Sequence, residues 1–202
     1  SQKFIKAEKP AAVGTKFTVG KLRYKITKSD AKKGTVTLYR AKKSVTKATI
    51  PATVMYQGYK FKVTSIGNNA FKGCKKLKTV KLGKNVKSVG KSAFYGCKKL
   101  SSVSLDAKLT KIGDKAFAKC TAIKKLTIPK KVSRIGSKAF YGCKKLKTIT
   151  VKSSKLKKKT VGKSAFTQIN KKATIKVPKK KVKAYKTIFK SAGAAKSVKI
   201  KK

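Results

Sequence analysis

Lysine is the side chain best placed to do chemistry in this 202-residue chain, and it recurs periodically. Lys75 and Lys76, Lys98 and Lys99, Lys124 and Lys125, and Lys144 and Lys145 form successive pairs, the third shifted by one place. Ammonium groups arrayed this way attract polyanions, which release counterions as they bind. A second set carries hydroxyls. Thr79 and Lys81, Ser102 and Ser104, Lys125 and Thr127, then Thr148 and Thr150 alternate with apolar residues, as side chains on the outer face of a strand do. Such a face can hydrogen-bond a sugar or an extended chain, and it is equally what exposed strand positions favour on propensity alone. The third set is Cys74, Cys97, Cys120 and Cys143, each 23 residues from the next. Stacked cysteines one coil apart fall within disulfide distance. Equivalent positions point the same way, however, each between a Phe and a Leu or Ile, which suits small buried thiols.

The chain has no histidine and only four carboxylates, Glu8, Asp30, Asp106 and Asp114. Neither an acid/base pair, a metal cage nor a nucleophile with its base can be assembled from them. No G-x-x-x-x-G-K-[ST] loop or dinucleotide fingerprint occurs. The chain therefore reads as a non-enzyme that requires no cofactor and no metal.

These residues are positioned by a phrase written four times between Ile66 and Lys157. It begins as "IGNNAFKGCKKLKTVKLGKNVKS" and returns as "VGKSAFYGCKKLSSVSLDAKLTK", "IGDKAFAKCTAIKKLTIPKKVSR" and "IGSKAFYGCKKLKTITVKSSKLK". Gly67, Gly90, Gly113 and Gly136 keep the 23-residue period, as do Phe71, Phe94, Phe117 and Phe140. A period of that length predicts a solenoid, because one coil cannot bury its apolar set alone. In the first copy that set is Ile66, Ala70, Phe71, Cys74, Leu77, Val80, Leu82 and Val86. Stacking turns each position into a ladder, Phe over Phe and Cys over Cys, with the Leu77–Leu82 segments paired in one parallel sheet. Phe166 continues the ladder after 26 residues instead of 23, because "SSKLKKKT" adds a loop.

The pattern IGxxAFxxC-xxLxxVxL, with Pro tolerated after the strand as in "LTIPKKV", resembles the BspA-like leucine-rich repeats of bacterial cell-surface proteins. The likeness covers residues 49 to about 178. It implies a right-handed α/β repeat solenoid with a parallel sheet on the concave face, short helical turns on the convex side and caps at both ends. It also implies a secreted or cell-surface location and a role in adhesion or in binding host or matrix proteins. One departure is the Asn that many such repeats stack after the strand. It survives only as Asn85, with Lys108, Lys131 and Ser154 in the equivalent places, so no Asn ladder is expected.

Residues 1–48 do not repeat. Alternation in "TKFTVGKLRYKIT" and "GTVTLYR" predicts two or three strands as an N-terminal cap. Residues 49–178 form the solenoid, with an incomplete first coil, a hairpin inserted around Gly58, and coils beginning near 66, 89, 112, 135 and 161. Met55, Tyr56 and Tyr59 in the hairpin are expected to cover the edge of the core, or to form a small contact site. Residues 179–202 form a C-terminal cap. There Val182, Tyr185, Ile188, Phe189 and Ala192 follow helical spacing between Pro178 and Gly193, and "KSVKIKK" forms a last strand. No apolar run approaches the roughly 20 residues that span a bilayer. The chain opens at Ser1, as it would after removal of a leader.

The net charge of +54 comes from 58 basic against 4 acidic residues, and only Arg23, Arg40 and Arg134 are arginines. Lysine is a hydrated point charge, whereas arginine offers the planar fork that reads phosphates and bases. The balance argues for a nonspecific polyanion and against sequence-specific nucleic-acid readout. The expected function is binding or adhesion, with an anionic cell-wall polymer, a glycan or a host extracellular protein as partner. The alternatives are a nucleic-acid-binding basic protein and a spacer repeat without a ligand; oligomeric state stays open.

Overall fold

The computed structural model describes residues 5–202; Ser1, the expected processed terminus, lies outside them. Fifteen strands and one helix follow in order: β1 Lys16–Val19, β2 Leu22–Lys28, β3 Thr35–Ala41, β4 Lys47–Thr49, β5 Thr53–Tyr56, β6 Tyr59–Ile66, β7 Thr79–Lys81, β8 Ser88–Val89, β9 Ser102–Ser104, β10 Lys111–Ile112, β11 Lys125–Ile128, β12 Arg134–Ile135, β13 Thr148–Val151, β14 Thr174–Lys176, α1 Val182–Ser191 and β15 Lys199–Lys201.

The 23-residue period becomes vertical register. Thr79 pairs with Ser102, Lys125 with Thr148, and Thr148 with Thr174, all in parallel. Val80, Leu126, Ile149 and Ile175 are buried in one continuous core, with Val103 of β9 partly buried against it. The result is a parallel β-solenoid of about seven turns, marked by β4-β7-β9 and β11-β13-β14-β15. The phenylalanines stack as the spacing predicts. Ring centroids are 4.8 Å apart for Phe71 and Phe94, 5.0 Å for Phe94 and Phe117, and 5.4 Å for each of the next two pairs. Offset aromatic pairs at such distances add about 0.5–1.5 kcal/mol each beyond area burial.

A second parallel ladder, of two residues per coil, runs through β6, β8, β10 and β12, with Val161 bridged to Ile135. The Ala-Phe segments that follow it are hydrogen-bonded turns; the short helical turns expected there do not form. The backbone explains why. Asn69, Ser92, Lys115, Lys138 and Ser164 all have positive φ, and so, four residues later, do Gly73, Gly96, Lys119, Gly142 and Gln168. Two left-handed residues per coil break any run of right-handed helix. In the last coil the run is uninterrupted from Val182 to Ser191, and there α1 forms, ending before Gly193 at φ +95°. Phe189 of α1 reaches the Phe166 ring at 4.8 Å and prolongs the column.

At the other end β1, β2 and β3 form an antiparallel meander, and β3 joins β6 in parallel. The hairpin around Gly58 is β5 paired with β6, with Gln57 and Gly58 both at positive φ, as its tight turn requires. Tyr59 is buried and donates its hydroxyl proton to the Ala7 and Glu8 carbonyls, whereas Met55 is exposed.

Candidate functional site

The face of the long ladder carries two columns of outward side chains. One runs Lys47, Thr79, Ser102, Lys125, Thr148, Thr174, Lys199; the other Thr49, Lys81, Ser104, Thr127, Thr150, Lys176, Lys201. All the strand residues singled out from the sequence therefore share one face, hydroxyl-rich in the middle and lysine-rich at both ends. The lysine pairs follow a different arrangement from the one expected. Lys75, Lys76, Lys98, Lys99, Lys144 and Lys145 are exposed and keep step just after the cysteines. In the third full coil, however, Thr121 and Ala122 occupy those places. Lys124 and Lys125 lie three positions further on, with Lys125 on β11 beside Thr148. The shift of one place read from the sequence is thus a shift of three, and the double-lysine column is interrupted.

The ladder itself is interrupted at the next step. β9 and β11 belong to separate sheets, and Val103 and Leu105 are only half-buried where Leu126 and Ile128 are buried. A hollow of about 320 Å³ opens there, lined by Val103, Leu105, Lys125, Thr127, Thr148 and Thr150.

A third feature was missed by sequence reasoning. Gly67, Gly90 and Gly113 floor a trough of about 420 Å³ walled by Asn68, Lys91 and Lys111. The glycine column was visible in the sequence, but what it marks is close approach of successive coils: a Cβ at Gly90 or Gly113 would lie within 2.8 Å of the preceding coil's backbone. Aromatic platforms were also missed. Lys72 and Lys119 sit 5.4 and 5.8 Å from the Tyr95 ring centre, and Lys138 sits 5.7 Å from that of Tyr141, within cation–π range.

The carboxylates serve the backbone. Asp30 accepts the Lys32 and Lys33 N–H groups at 2.8 and 2.7 Å, which holds its pKa below the usual value. Asp114 accepts the Ser137 N–H of the next coil at 2.9 Å, as Asn68 accepts that of Lys91 at 2.8 Å. Asp106 accepts the Lys108 N–H at 3.3 Å. Three of the four acidic side chains thus bond backbone N–H groups in turns and coil-to-coil contacts, and four carboxylates are too few to offset 58 basic residues.

The four thiols are free and buried. The Sγ atoms of Cys97, Cys120 and Cys143 lie 3.2, 3.1 and 3.1 Å from the Phe71, Phe94 and Phe117 carbonyls of the preceding coil, to which they donate. Burial pushes Cys97 and Cys143 up to about 12 and Cys120 well above its ordinary value, so none is a poised nucleophile. Among the described residues, no group of three or more His, Cys, Asp or Glu side chains could hold a metal.

Repeat, parallel ladders and phenylalanine column together define a leucine-rich repeat solenoid. The BspA type leucine-rich repeat region matches residues 39–159 in six copies, and the chain belongs to that family. The matched span begins ten residues before residue 49, inside β3, which already stacks on β6. Solved structures similar to it are bacterial leucine-rich repeat proteins. One from Bacteroides capillosus is 32% identical, with 67% of this chain and 97% of that one covered and a TM-score of 0.58. The T. pallidum leucine-rich repeat protein is 23% identical over 81% of this chain and 72% of its own, with a TM-score of 0.67. The pneumococcal vaccine antigen PcpA is 23% identical over 83% of this chain, which spans 47% of that protein, with a TM-score of 0.68. A search of curated proteins finds no match.

Proposed function

We propose that the chain is a non-enzymatic binding module at a bacterial surface or outside the cell. Its partner in this reading is an anionic wall polymer, an acidic glycan or an acidic host matrix protein, held on the lysine-bearing coils. The observation that carries the proposal is the uncompensated charge. Each full coil exposes lysines, and three of the four carboxylates in the chain are engaged by backbone N–H groups. At a coil spacing of about 4.8 Å, two unit charges repel by roughly 0.8 kcal/mol even at the dielectric of water. A bound polyanion relieves that repulsion along the whole stack. The hydroxyls of Ser102, Ser104, Thr127, Thr148 and Thr150 offer neutral donors between the lysine-rich ends. The described residues of the 1–48 segment and residues 179–202 act in this reading as caps that shield the ends of the core. Family membership and the likeness to a pneumococcal vaccine antigen support the surface assignment.

The test is a binding panel at low ionic strength against wall teichoic acid, heparin, an uncharged glycan and duplex DNA. Binding to both non-nucleic polyanions, absent for the uncharged glycan and no tighter for DNA, is expected. Tight binding to DNA alone would assign the chain to nucleic acid, and a blank panel would make it a spacer.

A further inference from the structure

The repeat holds its 23-residue period through Phe140 and then lengthens, Phe166 following 26 residues later. The added chain is tied down. Leu156 is buried, its N–H donates to the Tyr185 hydroxyl at 3.2 Å, and that hydroxyl donates to the Ser153 carbonyl at 2.7 Å. Ser153 is itself buried and donates its Oγ proton to the Val132 carbonyl. Thr160 Oγ1 accepts the Lys157 N–H at 3.0 Å and donates to the Lys157 carbonyl at 3.1 Å, closing a turn. This framework presents Lys155, Lys157 and Lys159 toward Ser133 and Arg134 of the preceding coil, across a hollow of about 360 Å³ that Thr160 also lines. A second hollow, of about 300 Å³, shares Arg134, Lys159 and Thr160 with the first. No carboxylate lines the first hollow. In the second, Asp114 is already bonded to the Ser137 N–H.

Arg134, Lys155, Lys157 and Lys159 thus line one hollow, and Arg134 is among the three arginines of the chain. We propose that this pair of hollows is a localised site for a tetrahedral oxyanion, a phosphate or sulfate ester group, carried on the polymer that the lysine surface recruits. The ligand's source rests on the function proposed above; the site rests on the loop. Arg134 supplies a planar fork that can hold two oxygens at once, and the lysines supply charge; the Thr160 and Ser133 hydroxyls stay bonded to the Lys157 and Thr110 carbonyls.

The test is titration of the uniformly 15N-labelled chain with inorganic phosphate, sulfate and acetate at one ionic strength. Saturable shifts at residues 133–134 and 155–160 with phosphate or sulfate, and not with acetate, are expected, and whichever ion saturates identifies the ester. Arg134→Gln is expected to abolish saturation and Arg134→Lys to weaken it by about tenfold, because lysine cannot reproduce the fork. Linear, unsaturated shifts spread over lysines throughout the chain would overturn the site. With teichoic acid or heparin, K155Q/K157Q/K159Q is expected to lose at least about tenfold more affinity than the charge-matched K75Q/K76Q/K98Q. Equal losses would overturn the hollow's role on the polymer while leaving the lysine surface intact. Failure of the unaltered chain to bind either polymer would instead defeat the general proposal, and the ion titration would still judge the hollow.

Discussion

A Cβ at Gly136 would lie 2.4 Å from the Asp114 backbone nitrogen of the preceding coil, whereas one at Gly96 would meet nothing within 4 Å and only its φ of +71° resists a side chain. The two glycines are therefore expected to fail differently. Gly136→Ala forces two backbones apart and should cost about 3 kcal/mol in urea denaturation, at the upper end for overpacking. Gly96→Ala should cost about 1 kcal/mol of backbone strain. The converse holds at Lys119, which occupies the same place in its coil at φ +59°. Lys119→Gly should stabilise by about 0.5 kcal/mol, since relief of left-handed strain outweighs the added freedom of the unfolded chain.

The thiols make a pH prediction at the same scale. Burial raises the Cys97 and Cys143 pKa values in the fold to about 12, above their unfolded value near 9. The folded chain then binds more protons than the unfolded one between those limits. Their contribution to stability is complete below pH 9 and is lost as pH rises toward 12. At pH 8 a thiol reagent should label the native protein poorly and all four cysteines in denaturant. Rapid native labelling would contradict the buried column.

Much of the element scale was legible because one phrase repeats. The strands β7, β9, β11, β13, β14 and β15, the Gly58 hairpin and the helix between Pro178 and Gly193 all follow from apolar spacing and turn residues. The two-residue ladder at Ser88–Val89 was not legible, since two residues are too few to show a period of two. Nor was the loss of the convex helical turns, because left-handed φ at Asn69, Ser92 or Lys115 falls on residues with no shared chemistry. The open step between β9 and β11 leaves no trace in the 23-residue spacing. It predicts uneven protection. The Thr148 N–H donates to Lys124 of the coil before, and the Ser102 N–H to Lys78, but the Lys125 N–H has no such bond among the described residues. Hydrogen exchange at Lys125 should be at least about tenfold faster than at Thr148, about the effect of one backbone hydrogen bond. Equal protection would mean that the sheet is continuous.

Over the whole molecule, charge and stacking oppose each other. A continuous core with six aromatic rings in column holds together a chain of net charge +54. Screening should therefore stabilise the fold. Raising ionic strength from about 0.01 to 0.5 M shortens the Debye length from roughly 30 Å to about 4 Å, and Tm should rise by several degrees. In the proposed function the same charge is what draws a polyanion, with counterions set free from the polymer. The candidate site was half legible. The lysines, the hydroxyls and the interruption at Thr121 and Ala122 stand in the sequence, but the hollow beneath Arg134 depends on register and on a three-residue loop.

The most direct test of the account is the affinity for heparin or teichoic acid measured across a salt series. Lysine contacts spread along in-register coils predict tight binding at low salt and a steep linear fall of log K with log salt. Substitution of lysines to glutamine along one flank should make that slope shallower. Absence of binding at low salt, or an affinity indifferent to salt, would contradict the claim that the stacked lysines form the working surface of this protein.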